Sequence, residues 1–272
     1  MHSALCRLLA VGLIATGAAP SPAKSLSVPS NNHPTIGAAL SQAQSGDTVW
    51  VEEGVYREKV LLGPGVALKS RELFAAVLDG QGRGTVVTLA QGATVEGFEI
   101  TNGTIGVISK SSDAHIVMCR IVRNSETGIM CVGHLPEIRD NIIAFNKGSG
   151  IQGWDVRVTT STVSHNTIVH NENHGIALGG NSDVIVENCI VAFNGQYGLK
   201  AEDPTVTVEI ANNDFFRNGA RDRPMRSDNI SVDPQFTDPY KLDFTLAKGS
   251  KCLKAGSDRQ DIGARLTVAS DE

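Results

Sequence analysis

The stretch "NKGSGIQGWD", residues 146–155, recurs in form along the chain. "NENHGIALGG" (171–180) and "NGQYGLKAED" (194–203) have the same order of Asn, three mostly polar residues, Gly and an aliphatic residue. The glycines of this phrase, 22, 22, 25 and 23 residues apart, are Gly106, Gly128, Gly150, Gly175 and Gly198. The asparagines four positions before them are Asn102, Asn124, Asn146, Asn171 and Asn194, and Asn218 begins a sixth copy.

Short apolar runs come directly before the asparagines. They are "RIV" (120–122), "IIAF" (142–145), "TIVH" (167–170) and "CIVAF" (189–193). A period in the low twenties, with short β-type runs and no helical periodicity, is typical of a solenoid of stacked coils. The pattern therefore predicts an all-β solenoid in which each coil makes two or three short strands.

The repeated Asn and Gly are interpreted as structural residues. Stacked Asn side chains can hydrogen-bond to one another as a ladder. Gly either supplies a left-handed backbone conformation or lets the next coil approach closely. The same register places Cys119 and Cys189 three coils apart, about 14 Å, which is too far for a disulfide. We therefore expect Cys119, Cys131, Cys189 and Cys252 to be buried, unreactive thiols.

The two ends of the repeat look like covers for the solenoid. Residues 33–46 have an amphipathic pattern that predicts a short helix over the N-terminal opening. Residues 229–264 are rich in Pro and Gly, and they predict an irregular closing segment. In that segment Asp233, Asp238 and Asp243 are interpreted as turn caps, with a Ca²⁺ site as the alternative.

The chain begins with a segment typical of export. Residues 1–23 have a weakly basic start, an apolar run from Leu8 to Ala19 and small residues after it, which is the form of a signal peptide. We expect a β-helix domain over residues 24–264, a tail over 265–272, no membrane span, and a secreted or periplasmic monomer. The net charge of −5 without a basic block argues against nucleic-acid binding.

Three segments resemble the secreted right-handed parallel β-helix proteins of the pectin-lyase-like superfamily. They are "TIGAALSQAQSGDTVWVEEGVYREKV" (35–60), "VLDGQGRGTVVTLAQGATVEGFEITNG" (77–103) and the closing segment through "DIGA" (261–264). The resemblance implies a single-stranded right-handed parallel β-helix with a short N-terminal capping helix. It does not determine the reaction, because lyases, hydrolases, epimerases, esterases and proteins without a known reaction share this fold.

The active-site signatures of that superfamily are not found. "RDRPMR" (221–226) has the wrong spacing for the Arg–x–Pro–x–x–Arg of pectate lyases. The Asp pair, Gly-His-Gly and Arg-Ile-Lys of polygalacturonases are missing, and "NHG" (173–175) matches Gly-His-Gly only in part. "GLKAEDPT" (198–205) has Asp-Pro in a shifted place and lacks the His of alginate epimerases. The Asp context of pectin methylesterases is also missing. These departures favour a binding protein over an enzyme.

Alternation along the strands predicts that one outward face of the solenoid is the functional site. After each phrase glycine the second residue should point outward, and the rows include Gln152, Trp154, Lys110, Lys200 and Glu202. Trp stacks on sugar rings, while Lys and Gln suit carboxylated or hydroxylated sugars. The row also has small residues at Ala177 and Gly179, which are expected to leave open space for a ligand.

We assign roles to the residues of this row and its rim. Trp154, Gln152, Arg157 and Glu202 are predicted to bind substrate, Lys200 or Lys110 to be the base of a β-elimination, and Asp155 and Asp203 to hold Ca²⁺, the one cofactor considered. A hydrolase would instead pair Asp155 with Glu202, about 10 Å apart. The histidines, including His174, are interpreted as polar turn residues without metal-ligand spacing.

The sequence thus predicts an exported protein that recognises, and in one reading modifies, a uronate-containing extracellular or cell-wall polysaccharide. The first alternative is a catalytic polysaccharide lyase. The second is a structural envelope protein that has no affinity for glycans.

Overall fold

The computed structural model describes residues 22–157, 162–220 and 228–266. Most of the predicted signal peptide (1–23), the "RDRPMR" segment and the end of the predicted tail lie outside the described residues. No helix in the described part of the chain is long and apolar enough to span a membrane.

The described chain winds into coils whose strands form three parallel faces. Face A contains Val60–Leu62, Thr85–Leu89, Ile105–Ser109, Ile129–His134, Ile151–Arg157, Ile176–Gly179 and Leu199–Ala201. Face B contains Ser25–Val28, Thr48–Val51, Ala67–Ser70, Thr94–Glu96, His115–Val117, Glu137–Arg139, Val163–Ser164, Asp183–Glu187 and Thr207–Ala211. Face C contains Gly54–Tyr56, Ala76–Asp79, Glu99–Thr101, Arg120–Val122, Ile142–Ala144, Thr167–Val169, Ile190–Ala192 and Asp214–Phe216. The predicted parallel β-solenoid is confirmed.

The core runs along the inside of the solenoid. Inward residues of face B stack in register from Val49 through Leu68 and Val95 to Ile116, and all four are fully buried. Their counterparts in faces A and C belong to the same apolar cluster. Each coil repeats one thin apolar layer, which explains why so few aromatic residues are needed.

The corners around face C have a regular backbone conformation. From Glu99–Thr101 onward, each strand of face C lies between two residues with positive φ, such as Met118 (48°) and Arg123 (56°). Asn102 (57°) occupies one of these corners, with its side chain donating to Asp79 at 2.7 Å. The prediction that Asn102 belongs to the asparagine ladder is therefore wrong, because its coil places Gly103 at the ladder position.

The remaining asparagines form the predicted ladder in the core wall. Nδ2 of Asn124 donates to Oδ1 of Asn146 at 3.0 Å, and Asn146 donates in the same way to Asn171 at 2.9 Å. The series continues through Asn194 to Asn218, at 3.0 Å for each step. We call these residues, Asn124, Asn146, Asn171, Asn194 and Asn218, the asparagine column.

The phrase glycines are explained by close approach. Their φ values are not positive, unlike those of ten other glycines. A Cβ added at Gly128 would lie 2.7 Å from the carbonyl oxygen of Gly150 and 2.9 Å from Nδ2 of Asn146. Of the two predicted reasons for these glycines, the structure supports close packing between coils.

The four cysteines within the described ranges are free and buried, as predicted. Burial raises the pKa of Cys119, Cys131, Cys189 and Cys252 to about 12. At neutral pH these thiols are therefore protonated and unreactive.

The N-terminal cap is shorter than predicted and a strand precedes it. The helix spans Ile36–Leu40 and buries Ile36 and Ala39. Thr35 is its N-cap, and the carboxylate of Glu58 accepts from the backbone N–H groups of Ile36 (3.1 Å) and Gly37 (2.9 Å). The strand Ser25–Val28, which the sequence did not predict, pairs with Thr48–Val51.

The closing segment is irregular, but it lies along the outside of face C. It contains the antiparallel pair Phe236–Asp238 and Asp243–Leu246 with a 3-10 turn, Pro239–Lys241, between them. Phe244, Cys252 and Ile262 form a second apolar cluster with outward residues of face C. Arg265 donates to buried Asp140 at 2.9 Å, so the ordered contacts continue into the segment predicted as tail.

The three aspartates of the closing segment have local turn contacts. Asp233 and Asp243 accept backbone N–H groups two residues ahead, at 2.9 and 3.1 Å, and Asp238 pairs with Lys241 at 2.9 Å. These contacts agree with their interpretation as turn caps.

Candidate functional site

The predicted outward row exists on face A. Strand register aligns Ile108, Met130, Gln152, Ala177 and Lys200 in successive coils. The neighbouring row aligns Val132, Trp154 and Gly179. Residues between these rows, such as Cys131 and Leu178, are buried in the core. Alternation in the parallel strands therefore places the predicted side chains on one surface.

Trp154 is the large exposed ring of this surface, and it fills the space that was predicted to be open. Its side chain is 48% exposed. A methyl group at Gly179 would overlap Cε3 and Cζ3 of the indole, and Ala177 is buried. The expectation of open space at Ala177 and Gly179 is wrong, because the small residues make room for the Trp154 ring. About half of the Trp154 surface nevertheless stays exposed to the solvent.

Lys200 lies in a small polar cluster with two residues that the sequence interpretation left aside. Nζ of Lys200 stands 4.9 Å from the centroid of the Tyr197 ring. The rings of Tyr197 and His174 are 5.7 Å apart and tilted by 34°. Glu202 is exposed and acts electrostatically on His174. The structure thus brings Lys200, Tyr197, His174 and Glu202 together at one end of the row.

The protonation of His174 follows from its contacts. Nδ1 of His174 accepts the backbone N–H of Tyr197 at 3.2 Å, so a neutral ring carries its proton on Nε2. Burial lowers the pKa of His174; Glu202 raises it and Lys200 lowers it. His174 is therefore a neutral hydrogen-bond donor through Nε2 at pH 7.

His174 and Tyr197 were missed because they lie in turns. Each directly precedes a phrase glycine, Gly175 and Gly198. The equivalent positions in the two preceding coils are Thr127 and Ser149. The Thr127 hydroxyl donates to Oε1 of Gln152 at 3.2 Å. The position before the phrase glycine therefore borders the outward row in several coils. Aligning the residue before each phrase glycine would have indicated this.

Asp155 and Asp203 support a turn, which the sequence did not indicate. Oδ1 of Asp155 accepts the backbone N–H of Asn181 at 3.0 Å, and Oδ2 of Asp203 accepts that of Gly180 at 2.7 Å. No group of three or more His, Cys, Asp or Glu residues able to hold a metal ion is present in the described ranges. Both carboxylates predicted to hold Ca²⁺, Asp155 and Asp203, thus have backbone partners, and the Ca²⁺ site stays a prediction.

Arg157 and Lys110 lie away from the Lys200 cluster. Arg157 is exposed at the end of its strand, in register with His134 on one side and Asp183 on the other. Lys110 follows the strand Ile105–Ser109, whose Ile108 is four coils from Lys200, about 19 Å along the axis. Lys110 and Lys200 therefore cannot serve as alternative bases at one reaction centre.

Comparison with known proteins agrees with this architecture. A family profile described as right handed beta helix region matches residues 83–232, more than half of the chain. The structure of pectate lyase Pel9A is 13% identical, covers 90% of this chain and 96% of its own, and has a TM-score of 0.53. An alginate lyase from Paenibacillus sp. str. FPU-7 is 18% identical over 72% of this chain and 77% of its own, with a TM-score of 0.49.

Pectin methylesterases are also among the similar structures. One, in complex with hexasaccharide VII, is 10% identical, covers 84% of this chain and 96% of its own, and has a TM-score of 0.44. No curated protein sequence matches the chain. The profile match and the three parallel faces confirm the predicted fold: the chain belongs to the right-handed β-helix family.

Proposed function

We propose that this protein binds an acidic polysaccharide along the outward side of face A. The observation that carries the proposal is the grouping of Trp154, Gln152, Lys200 and Tyr197 on one outward surface that crosses several coils. A binding surface along the axis suits an extended polymer, because adjacent coils repeat about every 4.8 Å. The protein would meet such a polymer after export to the periplasm or the cell exterior.

Each side chain has a role that its contacts allow. The exposed side of the Trp154 indole offers an apolar surface for a sugar ring. The ammonium of Lys200 offers a positive charge to a uronate carboxylate, while Tyr197 supports it from below. Nε2 of His174 and the carboxylate of Glu202 supply one donor and one acceptor for sugar hydroxyls.

The fold gives limited support of its own. Pectate lyase Pel9A, whose name states that it acts on pectate, has the same overall architecture. At 13% identity this likeness concerns the fold, and the acidic ligand is argued from Lys200 and its neighbours.

The second candidate is a β-elimination at the same cluster. A base takes the proton from C5 of the uronate. The electrons of the broken C5–H bond form the C4–C5 double bond, and the C4–O bond breaks as its electrons leave with the oxygen. Lys200 is the predicted base, and His174, whose Nε2 carries the ring proton, would protonate the leaving oxygen. This candidate is kept because His174, Tyr197 and Lys200 are in contact.

The two candidates differ in the fate of the polymer. Binding leaves its C4–O bonds intact, whereas elimination breaks one of them and leaves an unsaturated uronate end. A structural envelope protein would show neither binding nor elimination.

The test measures binding and elimination in the same samples. The chain without residues 1–23 is titrated calorimetrically with pectate, alginate and chondroitin sulfate, while absorbance follows unsaturated uronate. We expect binding to at least one polymer and a loss of about tenfold or more in Lys200→Ala. Lys248→Ala, which removes an exposed charge from the closing segment, is the matched control.

The outcomes separate the candidates. Saturable binding without a rise in absorbance supports recognition alone. A rise in absorbance that Lys200→Ala abolishes makes the protein a lyase. Absence of both, or equal losses in Lys200→Ala and Lys248→Ala, overturns the assignment of this surface.

A further inference from the structure

A cleft opens beside the turns of three successive coils. It lies where the strands Thr85–Leu89, Ile105–Ser109 and Ile129–His134 end, and its volume is about 340 Å³. Its lining includes Leu89, Gln91, Lys110, Ser112, Asp113 and His134. This volume is near the lower end of the range for small-molecule sites, so the cleft suits one sugar ring better than a chain.

The charged groups of the cleft have both signs. Lys110 and His134 are exposed, and no described residue forms an ion pair with Lys110. Asp113 lies between the Ser112 hydroxyl, at 2.9 Å, and the Gln91 amide, at 3.3 Å. These hydrogen bonds lower the pKa of Asp113, so the carboxylate is charged and held in position. Each of its oxygens can still accept another hydrogen bond.

This combination of charges limits the kind of ligand. A simple anion would be repelled by Asp113, and a metal cation by Lys110. A sugar acid satisfies both, since its carboxylate can bind Lys110 and His134 while its hydroxyls donate to Asp113. The Gln91 amide adds a neutral partner for a further hydroxyl.

We infer that the cleft between Gln91, Lys110, Asp113 and His134 is a second binding site, specific for a single uronic acid residue. It uses none of the side chains assigned to the Lys200 cluster and lies about four coils away. The site therefore stands or falls independently of the proposed polysaccharide-binding surface.

The test uses the monomer D-galacturonate as the probe, because it fits the cleft without spanning the outward row. Amide signals of the full domain are followed by two-dimensional NMR during the titration. Shifts are expected at residues 89–91, 110–113 and 134. Galactose, which has the same ring without the carboxylate, should leave these signals in place.

Matched variants decide the outcome. Lys110→Ala should weaken galacturonate binding by about tenfold or more, and Asp113→Asn should weaken it less. Lys248→Ala, which removes an exposed charge from the closing segment, should leave it unchanged. Circular dichroism checks that the exposed substitutions preserve the fold.

Three results overturn the inference: no shifts around the cleft, equal shifts with galactose, or unchanged affinity in Lys110→Ala. If the shifts occur instead around Lys200, the monomer binds at the outward row and the cleft is not a site.

Discussion

Replacing Asn171 by Ala tests whether the asparagine column holds the coils together. Oδ1 of Asn171 accepts the backbone N–H of Asn146 at 3.2 Å and its Nδ2 at 2.9 Å. Nδ2 of Asn171 donates to Oδ1 of Asn194 at 3.0 Å and to the carbonyls of Ile143 (3.1 Å) and Val169 (3.3 Å). The side chain is buried, so in the variant water does not readily replace these partners.

The magnitude follows from the groups left behind. The backbone N–H of Asn146 loses this acceptor, and a buried donor without a partner costs about 1–3 kcal/mol. The four other hydrogen bonds contribute about 0.5 kcal/mol or more each. We expect Asn171→Ala to lower the free energy of unfolding by about 4 kcal/mol, a large fraction of the 5–15 kcal/mol typical of domains.

The assay is urea unfolding followed by circular dichroism, with the slope checked against the wild type because repeat proteins can unfold in parts. Asn173→Ala is the control in the same coil: Asn173 is exposed and accepts one contact from Gln196, at 3.4 Å. It should change stability by less than about 0.5 kcal/mol. A loss below about 1 kcal/mol in Asn171→Ala, or equal losses in both variants, would refute the role of the column.

Three further changes test other parts of the structure. Gly150→Ala places a methyl group 2.8 Å from the carbonyl oxygen of Gly175, and urea unfolding should show a loss of about 3 kcal/mol; an unchanged midpoint contradicts close packing of the coils. Gly179→Ala should displace the Trp154 ring, seen as increased acrylamide quenching in a Trp50→Phe background; unchanged quenching contradicts their contact. Burial raises the pKa of Asp214 from 3.8 to about 6, so this group favours folding at low pH and its contribution is lost as the pH rises through about 6. Asp214→Asn should therefore stabilise the fold at pH 8 by up to about 3 kcal/mol and have little effect below pH 4; a loss of stability at pH 8 contradicts this.

The fold was predictable because the interactions that build it are periodic. Each coil repeats the same core layer, the same amide contact and the same close approach at Gly128 or Gly150. Alternation along a strand then indicates which side chains leave the core, and Gln152, Trp154 and Lys200 were placed correctly. The one error in the repeat, Asn102, arose where the turn is a residue shorter and the side chain moves to a corner.

The details of the candidate site depend on contacts that do not repeat from coil to coil. Nothing in the strand pattern indicates that the Trp154 ring lies on Gly179 or that Asp155 accepts a backbone N–H. The turns that contain His174 and Tyr197 differ in sequence from coil to coil. The contact between the two rings is therefore seen only in the folded structure.

The sequence by itself therefore determined the winding of the chain, the inward and outward sides of its strands and the burial of its cysteines. These follow from local alternation and from the repeat distance. Only the tertiary structure decided which turns meet. It places Lys200 beside Tyr197 and His174. It places Lys110 in a separate cleft. It also laid the closing segment along face C. Those contacts join residues of unlike turns through side-chain shape and charge, which the repeat does not encode.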